Sequence, residues 1–441
     1  MSKMMSRCCA CLALMLLIAA AVEAQEAPLP AALTLQQALD RALQSHPDVI
    51  SAQQAAVASQ ASAVVQRAAR WPQLSLEANA TQSKGLSSFN SAIGTSTSGS
   101  QRTSRNADVA LTYTVFRSGL NDQIRQAQTL AQASLLGIPD ARRLLAFQVR
   151  QDYYNILAQR QLAKSLLQSV ANSERHREQA QARLDAGVAA RSDLAPIEVE
   201  VAQARLQSVQ TETNLETALA SLRALILAPP ATTLDLADPL PTAGYEPRLD
   251  EMLALAEQNR PDLAAQRLNI RAAQLATAVA KAEAGIQLSA TASGDYGRHT
   301  DTTGDEWQLF VGATYPLFDA GASRAGVTQA QAGEAQAEQR LKSLQLGVQQ
   351  DVESAVAQLR QAATAIEVAT VGQRSAETAL ATAEARYREG LAIIIEVTDA
   401  QVQLLQAQVA EVQAKYNYAI ALATLAYATA TDLPTAKTAA Q

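Results

Sequence analysis

The sequence predicts a mixed α and β membrane protein in which one helix–hairpin–helix unit occurs twice along the chain. Three observations carry this. Two long stretches match each other in order and spacing. Four short segments alternate apolar and polar residues with a period of two. The rest is rich in Ala and Gln, with only 4% aromatic residues. Such a composition does not suit a globular core of this size; it suits long helices that approach closely. Beyond residue 24 no stretch reaches the ~18 consecutive apolar residues of a transmembrane helix. A membrane role must therefore fall to the strands.

The repeat is anchored at three places. Leu35-Gln-Gln-Ala-Leu39-Asp-Arg-Ala42, continuing to Pro47-Asp48, matches Leu249-Asp-Glu-Met-Leu253-Ala-Leu-Ala256, continuing to Pro261-Asp262, at an offset of 214. Tyr113-Thr-Val-Phe116-Arg-Ser-Gly119 matches Tyr315-Pro-Leu-Phe318-Asp-Ala-Gly321 at 202, and Ala182-Arg-Leu-Asp-Ala-Gly187-Val188 matches Ala385-Arg-Tyr-Arg-Glu-Gly390-Leu391 at 203. The near-equal last two offsets mark the intervening segments as rods of fixed length. The drop from 214 places about twelve extra residues at 82–106, whose Ser, Thr and Gly read as an exposed loop.

Residues 1–24 read as a secretory signal peptide. Lys3 and Arg7 precede an apolar run from Cys8 to Val22, and Val22-Glu23-Ala24 places a small residue at the cleavage position. All three cysteines (Cys8, Cys9 and Cys11) lie at the start of that run, so the mature chain is expected to carry no disulfide and no lipid anchor. Without Lys3, Arg7 and Glu23 the chain keeps 34 basic and 41 acidic residues, a net charge of −7 that does not invite nucleic acid. His46, His176 and His299 are far apart, so no His/Cys metal pattern exists. There is no glycine-rich phosphate loop and no nucleophile constellation. Neither enzymatic activity nor a cofactor is expected.

Within repeat 1 (25–247) the pattern predicts a helix over 34–70, capped by Thr34 with Gln37 as box partner and ended by Trp71-Pro72. A strand hairpin follows over 73–117, then a long helix over 120–186, a half-length helix over 193–228 and a Pro-rich linker over 229–247. Repeat 2 (248–441) predicts a helix over 249–284, a hairpin over 286–318, a long helix over 321–389, a helix over 396–430 and a tail over 431–441. Gly137-Ile138-Pro139 should kink or break the first long rod. A full rod is about 100 Å at ~1.5 Å per residue. Two half-length helices stacked end to end, 193–228 and 249–284, match its length, with the linker as a girdle halfway up.

Each strand segment is about ten residues, the length that crosses a bilayer when tilted. Four strands cannot close a barrel, and open edges are not tolerated in lipid, so several chains must contribute. Two chains would give a nearly filled barrel of eight strands; three would give twelve and a lumen. The helices carry two apolar seams. One runs through Leu194, Ile197, Val201, Ala204, Leu215, Ala218 and Leu222, another through Val199, Ala202, Leu206 and Val209. Repeat 2 has Val397, Ala400, Leu404, Ala407 and Leu425, with Val402, Leu405, Val409 and Val412. Two seams let a helix pack on both sides and build a wall, whereas one makes a dimeric coiled coil. A soluble periplasmic coiled-coil interaction protein is the alternative reading.

The opening Leu35…Ala38-Leu39…Ala42-Leu43…Pro47-Asp48, and above all Ala385-Arg-Tyr387-Arg-Glu-Gly390-Leu-Ala-Ile-Ile-Ile-Glu396-Val397-Thr-Asp399-Ala400-Gln401-Val-Gln-Leu404-Leu405, resemble the TolC family of outer-membrane efflux proteins. The resemblance covers 33–430. It implies a homotrimer in the outer membrane, with a twelve-stranded transmembrane β-barrel continuous with a twelve-helix periplasmic α-barrel. It also implies a passive gated conduit for tripartite efflux or type I secretion. The partners implied are a periplasmic adaptor (membrane fusion protein), an inner-membrane pump of RND or ABC type, and outer-membrane lipid. Glu396 and Asp399 stand at the family's acidic gate rings, and Tyr387 at its gate tyrosine. Ser192 and Asp193 stand at the partner positions of that tyrosine, although Asp193 equally suits a helix cap. The turns Gly187-Val188 and Gly390-Leu391 resemble the adaptor-docking tips, and both also suit helix termination. Ala392 departs from the arginine that some members use to link protomers; Arg191 and Arg388 are the nearby substitutes.

Overall fold

A computed structural model describes residues 32–91, 94–187, 191, 194–230, 232–242, 244–299 and 302–433, with backbone alone at 83–91, 94–103, 298–299 and 302–303. The expected signal peptide, the tail from 434, and Val188, Ser192 and Asp193 lie outside the described residues. The elements are α1 (Leu35–Ser45), α2 (Pro47–Ala68), β1 (Gln73–Ser91), β2 (Gly94–Arg117), α3 (Leu120–Leu135), α4 (Gly137–Asp185), α5 (Leu194–Leu225), α6 (Leu249–Asn259), α7 (Pro261–Ala282), β3 (Gln287–His299), β4 (Thr302–Thr314), α8 (Ala322–Arg388) and α9 (Ile394–Thr429).

Thr34 and Gln37 form the capping box of α1: Thr34 Oγ1 accepts from Gln37 N at 3.3 Å, and Gln37 Oε1 accepts from Thr34 N at 3.0 Å. The single helices expected over 34–70 and 249–284 are each two. They divide at His46 and Arg260, both extended, because each precedes a proline that occupies the first turn of the next helix. Pro139 likewise divides the first rod into α3 and α4. The break is slight, since Leu136 stays in the right-handed helical region and Asp140 N still reaches Leu136 O at 3.4 Å. In the second half α8 runs unbroken for 67 residues, about 100 Å.

The half-length helices meet differently from the expected pairing of 193–228 with 249–284. The end of α5 (Ala218, Leu222) shares an apolar cluster with α1 (Ala38, Leu39, Ala42) against Leu145, Val149 and Tyr153 of α4. The end of α9 (Leu422, Leu425) shares one with α6 (Met252, Ala256) against Val352, Val356 and Leu359 of α8. The linker after α5 causes this by strapping α1 in place. Leu33 N donates to Asp235 O at 2.7 Å and Ala237 N to Leu33 O at 3.1 Å. Asp238 Oδ2 accepts from Leu35 N at 2.8 Å and from the Tyr153 hydroxyl at 3.0 Å.

In α5 the two apolar seams part company. Ile197, Val201, Ala204, Ala218 and Leu222 are buried within the chain, whereas Val199, Leu206 and Val209 stay more than half exposed. In α9 the seams divide less cleanly: Val397, Ala400 and Leu425 of the first are buried and Val402 and Val409 of the second are exposed, but Val412 of the second is buried too.

The strands form one antiparallel sheet in the order β1-β2-β3-β4, with β1 and β4 as unpaired edges. The expected loop over 82–106 is instead strand. β1 and β2 stay paired from Gln73↔Thr112 to Ser91↔Gly94, so β1 runs 19 residues where β3 runs 13. The Ser/Thr/Gly composition that suggested a loop does not prevent this, because ladder bonds use backbone groups and a partner strand lies alongside. Alternation gives the sheet two faces. One carries the rows Leu74–Leu111–Ala292–Leu309 and Leu76–Val109–Gly294–Trp307. The other carries Ser75–Ala110–Ser293–Gln308 and the wholly acidic Glu77–Asp108–Asp295–Glu306.

One 22-residue helix, α7, below the sheet, a buried ion network pins the end of α9. Arg143 donates to Tyr427 O at 2.9 Å and stands over the Tyr427 ring at 4.2 Å. Arg260, 5% exposed, donates to Ala428 O at 3.4 Å and to Asp262 Oδ2 at 2.7 Å, and lies 3.4 Å from Asp351. Cationic groups at a helix C-terminus satisfy its last carbonyls and offset its dipole. Burial pushes the Asp262 carboxyl up, but the Arg260 hydrogen bond and the charges of Arg260 and Arg143 outweigh this and hold it below the usual range. Arg260→Ala would leave the Ala428 carbonyl without its donor and Asp262 with only the more distant Arg143, at 3.7 Å, and cost about 3–5 kcal/mol, against at most ~1 kcal/mol for exposed Asp48→Ala. Thermal melts of the two variants check the contrast. The Asp262 contribution is present above the unfolded carboxylate pKa of about 3.9 and is lost as the pH falls below it, so the gap should narrow in strong acid.

Candidate functional site

The far ends of the rods hold most of the residues singled out above. At the end of α8 the chain turns through Gly390, whose φ of 76° favours a residue without Cβ. Leu391 N donates to Arg386 O at 2.8 Å and Gly390 N to Tyr387 O at 3.1 Å, a Schellman closure. At the end of α4, Gly187 (φ 73°) donates to Leu184 O at 2.9 Å. These glycines thus stop the helices and aim the returning strands of chain, whatever else the turns do.

Beyond Gly390, α9 zips onto α8 through a small apolar cluster of Leu380, Ala383, Val397 and Ala400, with Tyr387, Ile394 and Leu404 at its margin. The Tyr387 ring is covered by the Arg183 guanidinium from α4, 4.4 Å from its centroid. This contact joins the tip of the first half of the chain to that of the second. Glu396 is not free. Arg386 Nη1 donates to its Oε2 at 3.0 Å, and Arg386 Nη2 to Leu391 O at 3.4 Å. Asp399, one turn further on, is exposed. A little higher, the partly buried His176 of α4 lies 3.3 Å from Gln401 Oε1 of α9, and Ser173 donates to Glu200 of α5 at 2.6 Å. Polar contacts therefore tie α4 to both neighbours. Among the described residues no cluster of His, Cys, Asp and Glu could hold a metal ion.

Of the residues selected from sequence, Tyr387, Gly390, Leu391, Glu396 and Asp399 come together at one tip, with Gly187 at the other turn. Ser192, Asp193 and Val188 lie outside the described residues. Among the described residues it is Arg386, rather than the suggested substitutes Arg191 and Arg388, that bonds Glu396. Arg183 and Arg386 were missed. A signal existed, because they occupy equivalent places in the third repeat anchor, offset 203.

Long paired helices beneath an open four-stranded sheet define an outer-membrane channel fold. Solved structures share it across most of this chain. VceC, an outer membrane protein of Vibrio cholerae, is 19% identical with a TM-score of 0.75, covering 91% of this chain and 97% of its own. The CmeC outer membrane channel of Campylobacter jejuni is 16% identical with a TM-score of 0.76, covering 94% and 93%. In sequence, the outer membrane efflux protein BepC of Brucella suis biovar 1 (strain 1330) is 24% identical over 324 residues, 71% of this chain and 69% of BepC. The outer membrane efflux protein profile matches residues 38–226 and 252–431, and the chain belongs to that family. It is an outer-membrane efflux channel, and the coiled-coil alternative falls away.

Proposed function

We propose that three copies of this chain assemble into a twelve-stranded β-barrel continuous with a twelve-helix α-barrel, each copy supplying two structural repeats. The reading rests on what a single copy leaves open. Among the described residues both sheet edges are unpaired, and the seam through Val199, Leu206 and Val209 stays more than half exposed. The acidic row Glu77–Asp108–Asp295–Glu306 suits only a water-filled interior, which assigns the Leu74/Leu111/Leu309 face to lipid. The conduit is passive. A periplasmic adaptor docks at the turns of Gly187-Val188 and Gly390-Leu391, and an inner-membrane pump of RND or ABC type supplies energy and substrate choice.

The tips form its gate. Symmetry would bring the Glu396 and Asp399 side chains of three copies around one narrow opening, where carboxylates attract cations. Arg386 neutralises much of Glu396, so Asp399 carries the ring. Ser192 and Asp193 remain partner positions for the closed tip, while Arg183 on the Tyr387 ring is the contact that carries this reading. A cation over an aromatic face is worth about 0.5–1 kcal/mol when exposed and about 2 when desolvated.

Two experiments test the gate in planar bilayers. Asp399→Ala should weaken block by divalent cations several-fold, and Glu396→Ala should do so less; unchanged block in both would remove the acidic ring. Tyr387→Leu should raise single-channel conductance, whereas Tyr387→Phe keeps the ring face and should match the parent. A conductance rise as large in Phe as in Leu would mean that the hydroxyl, not the ring, is the tether.

A further inference from the structure

The stripe of β4 assigned to lipid runs down into a groove beneath the sheet. Trp307, Leu309 and Val311 stand on that face and are exposed, and exposed Tyr315 follows just below the end of the strand. From Trp307 to Tyr315 is 8 residues. At ~3.3 Å per residue and a tilt of 35–45° they are about 20 Å apart in height, most of the ~25 Å apolar band of an outer-membrane barrel. An aromatic residue thus stands at either end of the band, where the two interfacial girdles belong. Tyr113 on β2, also exposed, is the repeat partner of Tyr315.

Below Tyr315 the chain leaves the sheet through Pro316 and Leu317, the latter 92% exposed. With Lys281 at the end of α7 and Arg324 at the start of α8, these residues line a groove of about 570 Å³. Both cations are exposed, and among the described residues neither has an ion pair. Asp319 also lines the groove but is engaged by backbone: its Oδ1 accepts from Gly321 N at 3.0 Å and its Oδ2 from Ser323 N at 2.8 Å. Local structure accounts for Lys281, a cation in the last turn of α7. It does not account for Arg324 in the first turn of α8, where the helix dipole disfavours positive charge. At the repeat offset of 202 the first half has Asp122, an acid in the first turn of α3. The second half thus carries an arginine where its own helix would favour an acid.

We propose that Lys281 and Arg324 hold the phosphate of an anionic phospholipid of the inner leaflet. This rests on the assignment of the Leu74/Leu111/Leu309 face to lipid. A phosphodiester between the two cations accepts charge-assisted hydrogen bonds, bidentate from the guanidinium. Both side chains have long apolar stems that lie along apolar surface while the charged heads stay at headgroup level. The acyl chains of the same lipid then run up the stripe of Tyr315, Val311 and Leu309. In the first half Arg67 matches Lys281 at the offset of 214, but Asp122 stands in place of the second cation, so each copy carries one such site.

The test uses the full chain purified in detergent, native mass spectrometry, and two probes with the same acyl chains. Phosphatidylglycerol is anionic; phosphatidylcholine carries the same phosphate with a compensating cation. The parent should retain phosphatidylglycerol in preference. A cation at a membrane surface contributes roughly a fivefold factor in binding an anionic lipid, so Lys281→Gln with Arg324→Gln should weaken that retention at least tenfold and leave phosphatidylcholine unchanged. Arg67→Gln should behave as the parent, and millimolar inorganic phosphate should not displace the lipid. Equal retention of phosphatidylglycerol by parent and double variant, a matching loss of phosphatidylcholine, or an equal loss in Arg67→Gln overturns the site. Displacement by inorganic phosphate overturns it too, in favour of a soluble anion. Conductance of the same samples separates the two readings. Channels without Lys281- and Arg324-dependent retention reject the lipid site alone; a parent that never inserts into bilayers rejects the lipid-facing assignment and the site with it.

Discussion

The outer edges of β1 and β4 carry backbone N–H and C=O groups that the chain cannot satisfy by itself. In hydrocarbon each unmet group costs several kcal/mol, so the sheet has no stable place in a bilayer until other copies complete the ladder. The helices obey a matching constraint. A wall built from rods needs each rod to offer apolar surface on two sides, and α5 buries one seam while leaving the other bare. Assembly is therefore demanded independently at both ends of the molecule, by hydrogen bonding in the sheet and by apolar area in the helices.

Equal rods leave evolution free to differ at their ends, and the two halves do differ there. The anchor arginine of the tips is used in two ways, by Arg183 on the ring of Tyr387 and by Arg386 on Glu396 and a helix-end carbonyl. Higher up the rods, His46-Pro47-Asp48 makes only a local helix cap, whereas Arg260-Pro261-Asp262 is drawn into the ion network that closes α9. The same backbone motif thus serves as a local helix start in one copy and as a tertiary clamp in the other.

What the sequence made legible was what local chemistry decides. The Thr34–Gln37 box, the glycine stops at 187 and 390 and the interruption at Pro139 depend on neighbours a few residues away. The divisions at His46 and Arg260 were equally local but were masked by strong helical periodicity on both sides of each proline. The strand character of 82–106 was hidden for another reason. Its polar, small residues have weak strand propensity, and only the register inherited from Gln73↔Thr112 extends the ladder through them. The meeting of α5 with α1 depended on the strap through Leu33, Asp235 and Asp238, some 200 residues apart. Arg183 over Tyr387 is a contact of the same long-range kind.

The contacts are also graded along the rods. One helix length below the sheet, Arg143 and Arg260 are almost fully enclosed and satisfy helix carbonyls, and breaking such buried pairs is expensive. Halfway down, Tyr153 is buried and bonded to the strap. At the tips, Arg386 and Glu396 are about half exposed, the apolar cluster has four buried members, and each exposed ion pair contributes about 0–1 kcal/mol. Local opening follows the weakest part of a structure. A rod clamped and strapped above its middle opens at least cost at its far end, which is why the proposed gate is sought at the tips.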